Sequence, residues 1–300
     1  MGAMVAPCAP DGPPNVQYPW HMPDRSATRP RVLAGLIAAM VVALGAVVTA
    51  AVGGVVTDAG LLPDLHQLPP YGISARTAPH GRVVLTFASA VGNGGQGPLI
   101  LNGTRDRRRT VMTINQEIVQ TDGTRVRIPI AGGMRYTPFG HNHWHFLQFD
   151  AFELRDPVRG VLVSEGHKVG FCLGSRFTME PPVPGAPAVP AINTNCGRFL
   201  PGLTRMRMGI DVGYADDYAA YLEFQYIDIT NVPTGRYVVV HRADPQKRLV
   251  VGDRSDDVAS TLIEIGATAG RGKVPSVTTL AECAATSGAP DQPCVATAGP

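Results

Sequence analysis

The feature that most constrains the fold is the segment 140–146, Gly-His-Asn-His-Trp-His-Phe, which has a histidine at every second position. Alternate residues of a β-strand share a face, so His141, His143 and His145 would project from one side of a sheet. Buried imidazoles need polar partners, and one divalent transition metal satisfies three of them together. The segment therefore predicts a strand that carries a metal site. Imidazole ligands alone leave zinc, copper, iron and nickel open.

The rest of the chain is also patterned for strands and turns. The 34 glycines and 27 prolines among 300 residues favour strands and turns over long helices. Asp122-Gly123 predicts a hairpin turn, and we expect 222–230 to pair with 236–241 across the turn at 232–235. Further strands are expected at 82–91, 99–101, 110–119, 125–130, 149–154, 160–163, 168–173 and 261–265. This pattern predicts a mainly β fold, a β-sandwich with long loops.

An uncharged apolar run occupies residues 32–56. A helix that spans a bilayer needs about 20 such residues. Arg25, Arg29 and Arg31 precede the run and Asp58 follows it, a bias that places the N-terminus in the cytoplasm. We expect one N-terminal transmembrane helix in the cell membrane. The alternative is a cleaved signal peptide, which would release a secreted protein.

These boundaries divide the chain into five parts. We expect a disordered cytoplasmic tail over 1–31, the transmembrane helix or signal anchor over 32–56, and a proline-containing stalk over 57–79. The β-sandwich follows over 80–266, and a flexible C-terminal tail over 267–300. The net charge of +2 gives no reason to expect a nucleic-acid partner.

The five cysteines divide between the two sides of the predicted membrane helix. Cys8 would lie inside, and Cys172, Cys196, Cys283 and Cys294 would lie outside, where disulfides form. Four cysteines allow three pairings. Sequence proximity favours Cys172–Cys196 and Cys283–Cys294.

Four segments with recognisable motifs follow one another between about residues 80 and 250. They are NGGQGPL at 93–99, GHNHWHF at 140–146, EGHKVGFCL at 165–173, and the stretch from Asp217-Tyr218 through QYIDITNV at 225–232 to GRY at 235–237. In this order they resemble the lysyl oxidase family, including its bacterial members. Animal members carry more cysteines, and the segment between Lys168 and Tyr218 differs here in length and proline content.

The resemblance implies a copper amine oxidase. Copper would be held by His141, His143 and His145. The enzyme would use dioxygen and water to convert primary amines, either protein lysine or small amines, to aldehydes on the outer side of the membrane. Ammonia and hydrogen peroxide would be the other products.

The resemblance also implies an organic cofactor, lysine tyrosylquinone, made from two side chains of the chain itself. The lysine corresponds to Lys168. The tyrosine corresponds to Tyr218, which precedes the QYIDIT strand at the family's interval, in preference to Tyr214 or Tyr221.

Amine oxidation also needs a general base to remove a proton from the substrate. Candidate carboxylates are Asp216, Asp217, Asp228 and Glu165, and Asp217 is taken as the possible base because it adjoins Tyr218 in sequence. His167, which adjoins Lys168, could ligate or tune the metal or lie at the surface.

Two other functions fit the histidines. A non-catalytic extracytoplasmic copper-binding or surface module would use the three histidines and need neither Lys168 nor Tyr218. A zinc hydrolase would use three histidines with an open coordination position, but no matching base motif occurs.

Overall fold

The computed structural model describes residues 60–138, 140–168, 170–192, 195–222, 224–268, 270 and 273–283. The regular structure in these ranges is β-sheet apart from one 3-10 turn at Pro79–Gly81. The strands, numbered in chain order, are β1 Gly60–Leu61, β2 Leu65–Gln67, β3 Tyr71–Thr77, β4 Val83–Asn93, β5 Leu99–Thr104, β6 Val111–Gln120, β7 Arg125–Thr137, β8 His143–Leu147, β9 Asp150–Arg155, β10 Leu162–Glu165, β11 Gly170–Phe171, β12 Phe177–Thr178, β13 Arg205–Ile210, β14 Tyr214–Tyr218, β15 Tyr226–Asp228, β16 Gly235–Ala243, β17 Val258–Thr268 and β18 Pro275–Cys283. The expectation of a mainly β fold is confirmed.

The two predictions for the N-terminal part of the chain concern residues that the structure does not describe. The tail expected over 1–31 and the transmembrane helix expected over 32–56 lie outside the described residues. Within the described ranges, no helix has the length and apolar character needed to cross a bilayer.

The strands form three sheets rather than the two layers of a simple sandwich. The first has the order β11-β8-β7-β6-β5-β13, with β1 also paired to β6. The second has the order β10-β9-β16-β17-β18, and the third has β12-β14-β4-β15 with β2 and β3 also paired to β4. All pairings within these sheets are antiparallel, as expected for strands joined by short turns.

One apolar core joins the three sheets. Met112 comes from the first sheet, Val239 from the second and Phe87 from the third, and each of these side chains is fully buried in the same cluster. The alternation along β6 explains how the first sheet contributes, because Met112 and Ile114 point inward while Val111 and Thr113 are exposed. The metal-site candidates lie at the β8 end of this sheet.

The structure confirms one predicted hairpin and corrects the other. The turn at Asp122-Gly123 joins the paired strands β6 and β7. The expected pairing of 222–230 with 236–241 is wrong, because β15 pairs with β4 and β16 pairs with β9 and β17. Phe224 has a left-handed φ of 64° and the buried amide of Gln225 donates to Ser89, so the chain turns before a longer strand can form.

The ends of the sheet domain also differ from the expected boundaries. Strands β1, β2 and β3 fall within the predicted stalk 57–79, and β18 falls within the predicted tail 267–300. Leu65 of β2 is fully buried, and β18 pairs with β17 along the edge of the second sheet. Both segments gain backbone partners and apolar contacts that a local composition argument does not foresee.

Candidate metal centre and lysine–tyrosine pair

The three histidines converge, but only two of them do so by strand alternation. Strand β8 begins at His143, so His143 and His145 share a face of the first sheet. His141 precedes the strand and joins them from a turn, where Asn142 takes a left-handed φ of 52° that asparagine tolerates. Candidate ligand atoms of the three side chains lie within 4.8 Å of one another.

The imidazoles are held in a form that can accept a metal. The Nε2 atoms of His143 and His145 are 2.7 Å apart, and the Thr137 hydroxyl lies 2.9 Å from Nδ1 of His145. Burial and the adjacent His141 lower the pKa of His143 to about 4. Burial and the adjacent His143 and His141 lower the pKa of His145 to about 2. Both rings are neutral at pH 7, with nitrogen lone pairs available, so the donor set fits a divalent transition metal.

A glycine allows the next strand to approach this cluster. Gly170 of β11 pairs with Leu147 of β8. A Cβ atom at Gly170 would lie 2.9 Å from both Cβ and Nδ1 of His145, closer than such contacts normally occur. The absence of a side chain therefore lets β11 pack closely against His145, with Lys168 two residues before Gly170.

Lys168 connects the histidine cluster with Tyr218. Its side chain is 6% exposed, and its Nζ atom lies 5.2 Å from the ring centroid of Tyr218 and 5.2 Å from that of Phe171. The positive charge of Lys168 also contributes to the low pKa values of His143 and His145. The two residues implied as cofactor precursors are therefore adjacent, and the lysine is close enough to act on two predicted metal ligands.

Tyr218 is oriented by polar contacts at its hydroxyl and by ring packing. It lies at the end of β14 and is buried, and Phe171 packs edge-on against it at 5.1 Å between ring centroids. Its hydroxyl donates to Oδ2 of Asp216 at 2.6 Å and also lies 3.2 Å from the carbonyl of Cys172. Burial, together with the Asp216 carboxylate, raises the pKa of Tyr218 well above its ordinary range.

The carboxylate that receives this hydrogen bond is itself held from two directions. Asp216 is 1% exposed; Arg176 donates to its Oδ1 at 3.1 Å and the Gly174 amide to its Oδ2 at 3.2 Å. Burial raises the pKa of Asp216 to about 7, although Arg176 and the Tyr218 hydroxyl both favour the ionised form. Asp216 can therefore gain and lose a proton near neutral pH beside the phenol.

Asp217, the base expected from sequence, does not share this position. Strand alternation places Asp216 and Tyr218 on one face of β14 and Asp217 on the other, where Asp217 is exposed. Proximity in sequence was misleading because adjacent residues in a strand point in opposite directions. The structure favours Asp216, which was among the carboxylates considered.

The remaining polar candidates lie away from the site. Glu165 is exposed, and Asp228 accepts hydrogen bonds from the amide and hydroxyl of Thr230. His167 is exposed and packs against Tyr226, with 5.0 Å between ring centroids. None of the three contacts the histidine cluster in the described part of the chain, so the surface alternative holds for His167.

A disulfide fixes the loop that borders both the histidine strand β8 and Tyr218. Cys172 and Cys196 are bonded, as sequence proximity predicted, with 5.8 Å between their Cα atoms. The carbonyl of Cys172 lies near the Tyr218 hydroxyl, and that of Cys196 accepts from the Trp144 amide of β8 at 2.8 Å. Cys283 is also disulfide-bonded, and its predicted partner Cys294 lies outside the described residues.

Sequence reasoning did not identify two supporting residues. Thr137 pairs with His143 across β7 and β8, and its hydroxyl contacts the diagonally adjacent His145. Arg176 contacts Asp216, which lies 40 residues away in the sequence. Neither belongs to a recognisable motif. Thr137 lies beyond the strand predicted over 125–130, so no signal marked it, and no signal distinguished Arg176 from other loop arginines.

The fold and site define the chain as a β-sheet protein with a cluster of three histidines that could hold a metal ion, beside a buried lysine–tyrosine pair. The lysyl oxidase family model matches residues 103–264, more than half of the chain and the part that holds all these side chains. The chain belongs to the lysyl oxidase family.

Curated relatives agree with this assignment. The chain is 30% identical over 124 residues to protein-lysine 6-oxidase of Rattus norvegicus, a match that covers 39% of this chain and 25% of the relative. It is 29% identical to the Sus scrofa protein-lysine 6-oxidase, covering 39% of this chain and 42% of the relative. It is also 29% identical to lysyl oxidase homolog 1 of Homo sapiens, with 39% and 18% covered. The chain thus spans less than half of the length of each of these relatives.

Proposed function

We propose that this chain is a copper- and quinone-dependent amine oxidase. Its substrates are primary amines, either the side chain of a protein lysine or a small amine. Each amine reacts with dioxygen and water to give an aldehyde, ammonia and hydrogen peroxide. The observation that carries the proposal is the position of Lys168, with Nζ 5.2 Å from the Tyr218 ring and its charge acting on His143 and His145.

In the proposed holoenzyme His141, His143 and His145 hold copper. Their neutral rings supply three nitrogen donors, and the Thr137 hydroxyl fixes the ring of His145 through Nδ1. Bound copper would supply the dioxygen chemistry for oxidation of the Tyr218 ring, and a quinone derived from Tyr218 and Lys168 would supply the two-electron chemistry of amine oxidation.

Lys168 must be neutral to bond to the Tyr218 ring. Its burial and the positive charge of a metal at the adjacent histidines both favour loss of its proton. The edge-on packing of Phe171 holds the Tyr218 ring in place, so the amine approaches a fixed target. Little movement is needed to bring the two side chains together.

Asp216 has the geometry to manage the proton of the phenol. The Tyr218 hydroxyl already donates to it at 2.6 Å, and Arg176 stabilises the carboxylate form. We assign to Asp216 the role of proton acceptor when Tyr218 is oxidised, and later that of general base for the amine substrate. Its pKa of about 7 suits both roles near neutral pH.

The test is peptide mass mapping after the metal-free protein is loaded with copper in air. We expect a single peptide in which a carbon–nitrogen bond joins the Lys168 and Tyr218 segments, together with peroxide release from primary amines. Separate, unmodified Lys168 and Tyr218 peptides in fully copper-loaded protein would reject the oxidase and favour the non-catalytic copper-binding module.

We further propose that residues 32–56 anchor the domain at the cell membrane and that the catalytic part is extracytoplasmic. The Cys172–Cys196 disulfide supports this location because such bonds persist in oxidising compartments. Protease treatment of intact cells tests the proposal: digestion of the sheet domain from outside is expected, and full protection would contradict it.

A further inference from the structure

Outside the metal centre, the strongest concentration of charge lies on the outer face of the first sheet. Two exposed arginines come from the β5–β6 loop, and the others come from β7 and β13. We call this surface the arginine face, formed by Arg107, Arg109, Arg125, Arg127, Arg135, Arg205 and Arg207. Glu117 lies on the same face and forms ion pairs with Arg125, Arg127 and Arg207, so the inference depends on the cleft arginines Arg107, Arg109 and Arg205.

The register of the strands places these arginines on one surface. Arg205 of β13 pairs with Thr104 of β5, and Thr104 pairs with Thr113 of β6. Directly opposed residues of an antiparallel ladder share a face. Two residues further along β13, Arg207 is again on that face.

The same surface continues to the candidate metal centre. Val111 of β6 pairs with Arg135 of β7, and Arg135 pairs with His145 of β8. Arg135 is close enough for its charge to contribute to the low pKa of His145. The arginine face and the histidines therefore open toward the same side of the first sheet.

Part of this face forms a cleft whose lining suits anionic groups. Its lining includes Arg107, Arg109 and Arg205, together with hydroxyl-bearing threonines and one carboxylate, Asp106. Asp106 accepts a hydrogen bond from the amide of Arg108, and the lining remains positive because the arginines outnumber it. No carboxylate in the described residues forms an ion pair with these three arginines. Guanidinium groups bind carboxylate or sulfate through paired hydrogen bonds, so the cleft offers several unused anion-binding groups.

A fourth arginine gives the cleft a rigid border. Arg105 donates to the carbonyls of Leu203 and Pro201, each at 2.7 Å, and its guanidinium lies 4.8 Å from the Trp144 ring centroid. These contacts tie the β5–β6 loop to the segment before β13. The exposed arginines therefore stand on a surface that is already ordered.

We propose that the arginine face binds a linear anionic polysaccharide that carries carboxylate or sulfate groups. A flat array of arginines and hydroxyls can contact several charged groups of one extended polymer at once. Protein interfaces depend on several aromatic and large apolar anchors. Among the described strands, this face offers the exposed side chain of Val111, 38% exposed, so it lacks the anchors that a protein partner needs. The residues that line the cleft include no aromatic ring on which the bases of single-stranded nucleic acid could stack.

The experiment measures binding of the purified full chain to immobilised heparin and to polygalacturonate at increasing salt. Arg107→Gln/Arg109→Gln/Arg205→Gln is expected to bind about tenfold or more weakly at low salt, with a shallower salt dependence. Arg76→Gln/Arg236→Gln/Lys247→Gln is the matched control, since it removes the same charge from exposed positions on β3, β16 and the loop after β16. Its affinity should stay within about twofold of the parent.

Three results would overturn the proposal. They are a parent chain that binds neither polysaccharide, an equal loss of affinity in the two triple variants, and tighter binding to duplex DNA or anionic vesicles than to both polysaccharides. Thermal unfolding of each variant verifies that the domain remains folded. Because binding is measured without an amine substrate, the result is independent of the oxidase assignment.

Discussion

The hydroxyl of Tyr218 donates a hydrogen bond of 2.6 Å to the carboxylate of Asp216, two residues earlier on the same strand. Strand alternation creates this contact, because it places both side chains on the buried face of β14. Arg176 approaches the same carboxylate from the loop after the disulfide-bonded Cys172. The buried phenol and carboxylate and the exposed Arg176 guanidinium thus form one chain of hydrogen bonds that leads from the surface to the ring beside Lys168.

Replacing Asp216 with Asn should slow formation of the Lys168–Tyr218 cross-link about 100-fold, because an amide cannot accept the phenol proton. The measurement is the rate at which the joined peptide appears after copper is added in air. Asp217→Asn is the matched control: it removes a charge from the exposed face of the same strand and should change the rate far less than Asp216→Asn does.

The same carboxylate should set the pH dependence of cross-linking. Asp216 must be ionised to accept a proton, and its pKa of about 7 means that the ionised fraction rises as pH increases through 7. We expect the rate to rise between pH 6 and pH 8 and the slope to disappear in Asp216→Asn. An unchanged slope in that variant would assign the titration to another group.

The metal site can be tested by substituting one histidine inside the cluster and one outside it. His143→Ala removes one of three converging nitrogens and should weaken copper binding by about 100-fold or more. His167→Ala changes an exposed ring packed on Tyr226 and should bind copper as the parent does. Competition with a copper chelator of known affinity measures both. Equal affinities for the two variants would place the metal elsewhere.

Sequence predicted the mainly β fold and the meeting of the three histidines, but not how His141 reaches the others. Alternation accounts for His143 and His145, whereas His141 depends on the left-handed backbone at Asn142. The Lys168–Tyr218 pair came from resemblance to a family. Sequence alone could not bring together two side chains on different sheets, because that contact depends on the packing of β11 and β14.

The partners of Tyr218 show the same limit. Chain adjacency favoured Asp217, yet the pleat turns that residue outward and Asp216 inward. Arg176 contacts Asp216 only because the Cys172–Cys196 bridge and the following loop fold back over β14. Long-range contacts of this kind leave no periodic trace in the sequence.

In the metal-free protein, His143 and His145 should contribute a loss of stability as pH falls from about 6.5 toward 4. Over that range the unfolded chain binds protons on histidine, while His143 and His145, with pKa values lowered to about 4 and 2, stay neutral in the folded state. Asp216 and Asp257, whose pKa values are raised to about 7, contribute with the opposite sign.

The difference in the free energy of unfolding between the parent and a variant without the two histidines therefore isolates their contribution to stability. Urea unfolding of the metal-free parent and of His143→Gln/His145→Gln at several pH values provides the measurement. The free energy of unfolding of the parent should fall more steeply below pH 6.5 than that of the variant. Parallel curves would show that the two rings titrate normally in the folded protein.

Removing the disulfide should affect stability and the site together. Cys172→Ala/Cys196→Ala opens a loop with a sequence separation of 24, which should lower the free energy of unfolding by about 3 kcal/mol. The carbonyl of Cys172 lies near the Tyr218 hydroxyl, so cross-linking should also slow in the variant that remains folded. Urea unfolding and peptide mapping measure the two effects. A cross-linking rate equal to the parent's would make the bridge purely stabilising.

Gly170→Ala tests whether close packing of β11 on β8 positions the metal ligand His145. The new methyl group would lie 2.9 Å from Cβ and Nδ1 of His145, so either the ring or the strand must move. Overpacking of this kind costs about 1–3 kcal/mol of stability, and a displaced ring should weaken copper binding about tenfold. Gly202→Ala is the matched control, since nothing lies within 4 Å of its added Cβ. If Gly170→Ala loses stability but keeps the parent's copper affinity, the displacement is taken up by β11 and the ring of His145 is held by Thr137 instead.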